Sequence, residues 1–208
     1  TLLPSGQYLQ SGGGQSPQVV SDLALFDATT QQTTALGLKL ATARTAHSAT
    51  LLPDGKVLIL GGVGQDGYPV ASAEILDLNA LTVQVIAAPG LLARSQHRAT
   101  LLTDGKVLVT GGLDATGQAI GSAELWNPKT QQPESLRASL LTARANHIAQ
   151  LLAHSPVLIT GGQDASGKSV ASAEQYDTQG QRFDLANGVA ATDPAAAPSV
   201  AEIIPPAD

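Results

Sequence analysis

Three residue types that carry chemistry recur in this chain at one spacing. Arg44, Arg94 and Arg144 lie fifty residues apart, as do His47, His97 and His147, and Glu74, Glu124 and Glu174. Cations, imidazoles and carboxylates on a common period could form a ring of charge that binds a ligand at an axis. Three imidazoles also invite a zinc site. A residue kept in every copy serves the copy, however, because a catalytic centre needs each group only once. The expected role is one Arg–Glu pair per copy, holding a strand start to a neighbour. If such a pair is buried, losing one partner costs roughly 3–5 kcal/mol. Identical positions in successive copies would lie too far apart to share a metal, so each His is expected to be buried with a backbone partner. His154 falls outside the pattern, in a hairpin turn.

Glycine pairs recur on the same period, at Gly61 and Gly62, Gly111 and Gly112, and Gly161 and Gly162. A phosphate cradle would need a helix N-terminus behind the glycines, and no helical pattern follows any of them. Close backbone approach or positive φ at a strand end explains them better. The loops that follow differ between copies: VGQDGYPV, LDATGQAI and QDASGKSV. Asp114 to Gly117 and Asp164 to Gly167 carry Asp first and Gly fourth, the signature of a type I turn. Calcium would want a longer run of carboxylates. Variable loops on a constant frame are where binding usually resides. Asp66, Tyr68, Asp114, Gln118, Asp164 and Lys168 are the candidate ligand residues.

The elements that must position these residues are equally repetitive. RTAHSATLLPDGKVLILGG at 44–62 returns as RSQHRATLLTDGKVLVTGG at 94–112 and as RANHIAQLLAHSPVLITGG at 144–162. TLLPSGQYLQSGG at 1–13 is a partial copy. A fixed period near fifty marks a propeller or a related array. Within 44–93 the expected strands are His47 to Leu52, Val57 to Leu60, Ser72 to Leu76 and Val83 to Ile86. Asp54-Gly55 signals a two-residue hairpin of type I′. His154-Ser155-Pro156 replaces that signal in the fourth copy, so a hairpin of different shape is expected there. In the first unit the strand over Gln7 to Ser11 is expected to end at Gly12-Gly13.

Composition sets the outer limits. The chain has 208 residues, 43% hydrophobic and 13% charged, with net charge −6. It has no basic run, which argues against nucleic acid as a partner. Its apolar runs are too short for a bilayer-spanning helix. It has no Cys, which excludes disulfides and thiolate–metal sites. A cysteine-free chain suits an exported bacterial protein at the cell surface or outside the cell. Four units are expected: a partial one over 1–43, then 44–93, 94–143 and 144–185. Residues 186–208 hold eight Ala and four Pro and read as a linker. The chain begins inside a repeat and is expected to be a piece of a longer polypeptide.

The pattern R-x-x-H, apolar strand, Gly-Gly and S-A-E-x-[LYW]-[DN] resembles the bacterial kelch repeat, three times over 44–185 and in part over 1–35. The resemblance implies an all-β kelch-type β-propeller, with four antiparallel strands per blade and about four blades visible of a larger ring. The aromatic that closes the third strand is kept as Phe26, Trp126 and Tyr176, with Leu76 in its place once. The Trp that many kelch repeats carry on the outermost strand is replaced by Val83, Pro133 and Phe183. SVAEIIPPAD resembles the opening of a bacterial immunoglobulin-like domain. Copper-radical oxidases with kelch propellers need a Cys cross-linked to Tyr, which this chain lacks. The resemblance and the loops together imply a non-catalytic scaffold module, without cofactor, binding a protein or glycan. A carbohydrate-active propeller enzyme and a structural spacer or assembly element are the alternatives.

Overall fold

The computed structural model describes residues 1–15, 17–153 and 155–186. His154 and the linker beyond Ala186 lie outside the described residues. Among the described residues there are strands and turns but no helix. The fold is all-β. Four antiparallel sheets follow one another along the chain, each a meander of sequential strands, in a propeller-like arrangement.

The first sheet has three strands, β1 (Tyr8–Gln15), β2 (Gln18–Asp27) and β3 (Gln32–Lys39), with Leu2 bridged to Tyr8 beside them. The second holds β4 (Ser48–Leu51), β5 (Val57–Leu60), β6 (Ala73–Asp77) and β7 (Thr82–Ile86). The third holds β8 (Arg98–Leu101), β9 (Val107–Thr110), β10 (Ser122–Asn127) and β11 (Gln132–Ser139). The fourth holds β12 (Ile148–Leu151), β13 (Val157–Thr160), β14 (Glu174–Asp177) and β15 (Arg182–Leu185). The sheets stand side by side: β4 lies next to β8 and β8 next to β12, while β3 meets β7 and β11 meets β15.

The apolar runs at β5 and β9 are buried at all four positions because both of their faces meet another sheet. Strand side chains alternate between faces. Val57 and Ile59 therefore pack with Leu9, Leu23 and Leu76 in the core between the first two sheets. Leu58 and Leu60 pack with Val107, Val109 and Trp126 in the next core. Leu108 faces Val157, Ile159 and Tyr176 in the third. Each fully buried aliphatic contributes about 1.5–3 kcal/mol. Pro133 sits on the outermost strand of its sheet, where a missing N–H is tolerated.

Three expectations are corrected. The Asp54-Gly55 hairpin is not type I′. Gly55 N donates to Leu52 O at 3.0 Å and Leu52 N donates to Lys56 O at 2.8 Å, with positive φ at Gly55 alone. Pro53 favours the first central position of a type I turn, and Gly55 then takes the left-handed bulge. The fourth hairpin keeps this shape instead of changing it. Ser155 N donates to Leu152 O at 3.2 Å, and Leu152 N donates to Pro156 O at 2.9 Å. Lastly, β1 does not end at Gly12-Gly13. It continues through a register shift to Gln15 and pairs directly with β2, where the other units insert a loop.

Ser155 thus sits at φ 82°, where Gly55 and Gly105 sit at 84° and 85°. A side chain in that region costs about 1 kcal/mol or more. Ser155→Gly should raise stability by about 1 kcal/mol, and Gly55→Ser should lower it equally. Chemical denaturation of both variants checks this. A destabilised Ser155→Gly protein would contradict the assigned turn.

Candidate functional site

The repeated charges form one buried latch per unit. Arg44 Nη2 donates to Glu74 Oε1 at 2.6 Å and to Ser72 Oγ at 2.9 Å. Its Nη1 donates to the carbonyls of Gly61 and Ser72, at 2.9 and 3.2 Å. The Glu74 carboxylate accepts from the backbone N–H groups of Ala41 and Thr42, at 2.7 and 3.1 Å. The latch therefore joins two strand ends of one sheet to the segment arriving from the sheet before. Arg144 and Glu174 repeat it at 2.6 Å, with Leu141 N and Thr142 N on the carboxylate.

Arg94 and Glu124 are looser, at 3.1 Å. Glu124 accepts from Leu92 N, and Arg94 Nε has no partner, whereas Arg44 Nε and Arg144 Nε reach Thr42 O and Thr142 O. The segment 87–93 turns through Gly90 and brings Leu92 where the other units have Thr. All three Arg residues are 0% exposed. Burial pushes the Arg44 and Arg94 guanidinium groups downward and the Glu124 carboxyl upward, and the ion pairing opposes both. The three guanidinium groups are spent on this frame and present no charge to a ligand.

His97 and His147 are buried and His47 is partly buried, and the ring partner in each case is a hydroxyl and not the expected backbone group. His47 Nε2 lies 2.9 Å from Ser11 Oγ, His97 Nε2 2.8 Å from Ser48 Oγ, and His147 Nε2 2.9 Å from Thr110 Oγ1. Each hydroxyl belongs to the preceding sheet. Its position varies, because Leu60 stands where Ser11 and Thr110 do, and Arg98 where Ser48 does. This alternation hides the hydroxyls from a search for one constant position. The Nδ1 atoms have no partner. Burial, then the charge of the nearby Arg of the same unit, lowers His47 and His147 to about 4 and His97 to about 3. All three imidazoles are neutral at pH 7. No cluster of three or more His, Asp or Glu able to hold a metal occurs among the described residues.

The glycine pairs let neighbouring sheets touch backbone to backbone. Gly13, Gly62 and Gly112 each donate to the carbonyl of the next unit's Arg, at 2.9 Å in every case. A Cβ on Gly61, at φ 64°, would sit 2.6 Å from Arg94 O and 2.8 Å from His97 Cε1. Arg, His and Gly-Gly are thus one hook: the Arg carbonyl and the imidazole enter the glycines of the sheet before.

The candidate loop residues lie away from this hook, at three separate places. Asp114 Oδ1 accepts from Thr116 N, Thr116 Oγ1 and Gln118 N at 2.7–3.0 Å, and Asp164 does the same with Ser166 and Lys168. These hydrogen bonds hold both carboxyls below the usual carboxylate range. They are turn-building groups first. The second unit differs, with Gly64 in the place of Asp114 and Asp66 accepting only from Tyr68 N, at 3.0 Å. Asp66 and Tyr68 help line a cleft of 520 Å³ against Thr42 and Ala43, and Tyr68 is 61% exposed. A second groove, of 590 Å³, runs between the turns at Asp54, Asp104 and Lys129, none of which is among the candidate ligand residues.

The class defined by this fold is an all-β array of repeated antiparallel sheets joined by a backbone hook and a buried ion pair. No protein-family model matches the chain, and no curated protein matches it either. Among the described residues no helix is long and apolar enough to cross a membrane.

Proposed function

We propose that this chain is a non-catalytic kelch-type repeat module of a larger exported bacterial protein, and that it binds a protein or glycan partner through its inter-strand loops. The observation that carries the reading is the division of labour between frame and loops. The repeated Arg, Glu and His are consumed in buried contacts. Solvent meets the side chains that vary, Tyr68 above all, in the cleft of the second unit. An aromatic ring beside a carboxylate suits a sugar face with adjacent hydroxyls, or a peptide with an apolar and a basic group. The exported bacterial setting is inferred from the kelch-like motifs and the absence of Cys.

A panel of immobilised glycans and cell-surface polypeptides, probed with the purified chain, tests this. Tyr68→Ala should weaken the strongest interaction about tenfold or more, and Lys129→Ala in the other groove should leave it unchanged. Turnover of a saccharide, or binding indifferent to Tyr68, would overturn the reading.

A further inference from the structure

The fourth sheet lacks what the other three have. Gly13, Gly62 and Gly112 each receive the Arg carbonyl of a following unit, whereas no described residue offers a carbonyl to the Gly162 amide. A Cβ on Gly61 or Gly111 would collide with the next unit's Arg carbonyl and His ring, yet a Cβ on Gly161 meets nothing within 4 Å. Gly161 keeps the same left-handed backbone, φ 67° against 64° and 58°. The site is built as in the other sheets, and no described residue fills it.

The side chains around it agree. Leu58 and Leu108 are fully buried, whereas Leu158, their counterpart, is half-buried. Leu52 and Leu102 are 3% and 5% exposed, and Leu152 is 39% exposed. Thr160 corresponds to Thr110, which bonds the following unit's His147. One position runs the other way: Gln175 stands where Ile75 and Leu125 are.

We propose that this face is the docking site for a fifth unit of the same Arg-x-x-His kind, carried by the same polypeptide. The hook fixes the chemistry of the occupant. It must present a carbonyl at a strand entry, and an imidazole three residues later, to Gly161, Gly162 and Thr160. A second copy of this chain does not supply that, because its three hooks are already engaged. Linkage in cis raises the effective concentration of the occupant. The inference is independent of the loop-binding reading.

Amide exchange at Gly162 is the measurement. It is compared between the 208-residue chain and a version in which a copy of residues 87–139 follows Ala186. In the 208-residue chain Gly162 should exchange about 100-fold faster than Gly62 and Gly112, and in the extended chain it should slow to their level. Gly161→Ala in the extended chain should restore fast exchange, as should removal of the added unit's Arg and His side chains. Fast exchange in the extended chain, for whatever cause, would overturn the proposal and make the fourth sheet a polar-faced end unit, in keeping with Gln175. Slow, concentration-dependent exchange in the 208-residue chain would also overturn it, by assigning the face to a second copy.

Discussion

Arg44→Met should destabilise the protein by about 3–5 kcal/mol, because it strands the Glu74 carboxylate in the interior. Glu74 would keep only the Ala41 and Thr42 amides as partners, the Gly61 carbonyl would lose the Arg44 donor, and the Ser72 carbonyl would keep only the Gly61 N–H. A loss of that size is a large part of the 5–15 kcal/mol that holds a domain together. Glu74→Gln should cost a comparable amount, since it leaves the buried Arg44 guanidinium without a counter-charge, although its amide oxygen still accepts from Arg44 and from one of those N–H groups. The three latches should also rank. Arg144→Met should match Arg44→Met, while Arg94→Met should cost least, since its pair is longer and its Nε is already unpartnered. Lys39→Ala breaks an ion pair whose side chains are both about two-thirds exposed, and it should change stability by less than about 1 kcal/mol. Denaturant titration of the series measures all of these. Equal, small losses for Arg44→Met and Lys39→Ala would refute a buried latch.

Stability should also drain away as pH falls from about 6.5 to about 4. His47 and His147 titrate at about 4 in the folded chain and His97 at about 3, against an ordinary value of 6.5. The folded values are the lower ones, so between these limits the unfolded chain binds more protons, and stability rises with pH. It is complete above pH 6.5. Each imidazole removes roughly 3 kcal/mol by pH 4, and three together roughly 9 kcal/mol, enough to unfold a domain of ordinary stability. Physically, a proton on His97 would place a cation beside Arg94 in the dry seam between sheets. The melting temperature at pH 7, 6, 5 and 4 should fall steeply, with a slope approaching three protons taken up on unfolding. His147→Gln should lower stability at pH 7 but reduce that slope by about one proton. A melting temperature flat from pH 7 to pH 5 would rule out these buried neutral histidines.

Much of the frame was legible because repetition repeats the evidence. The runs KVLIL, KVLVT and PVLIT stand at one spacing, and the structure places a strand at each, with both faces covered in β5 and β9. Pairing of Arg with Glu was legible for the same reason. A charge that recurs with its opposite in every unit has a partner in every unit. The hairpins were read less well. Asp-Gly is common to type I′ turns and to type I turns with a glycine bulge, and Pro53 and the closing Leu52–Lys56 bond decide between them. Ser155 shows that the closed turn imposes positive φ on whatever residue occupies the position.

The sequence by itself determined the period, the strand order within each unit, and the identity of the residues that serve the frame. These are local or periodic properties, set by alternation, turn chemistry and recurrence. Only the tertiary structure decided which hydroxyl receives each imidazole, since Ser11, Ser48 and Thr110 occupy two different positions in the unit. It alone showed that the glycine pairs are hooks receiving the next sheet's carbonyl, and that Tyr68 and Asp66 share a cleft with Thr42. Those contacts join residues from 24 to 49 positions apart across neighbouring sheets, so they depend on how one sheet seats against the next. No pattern within a unit encodes that seating.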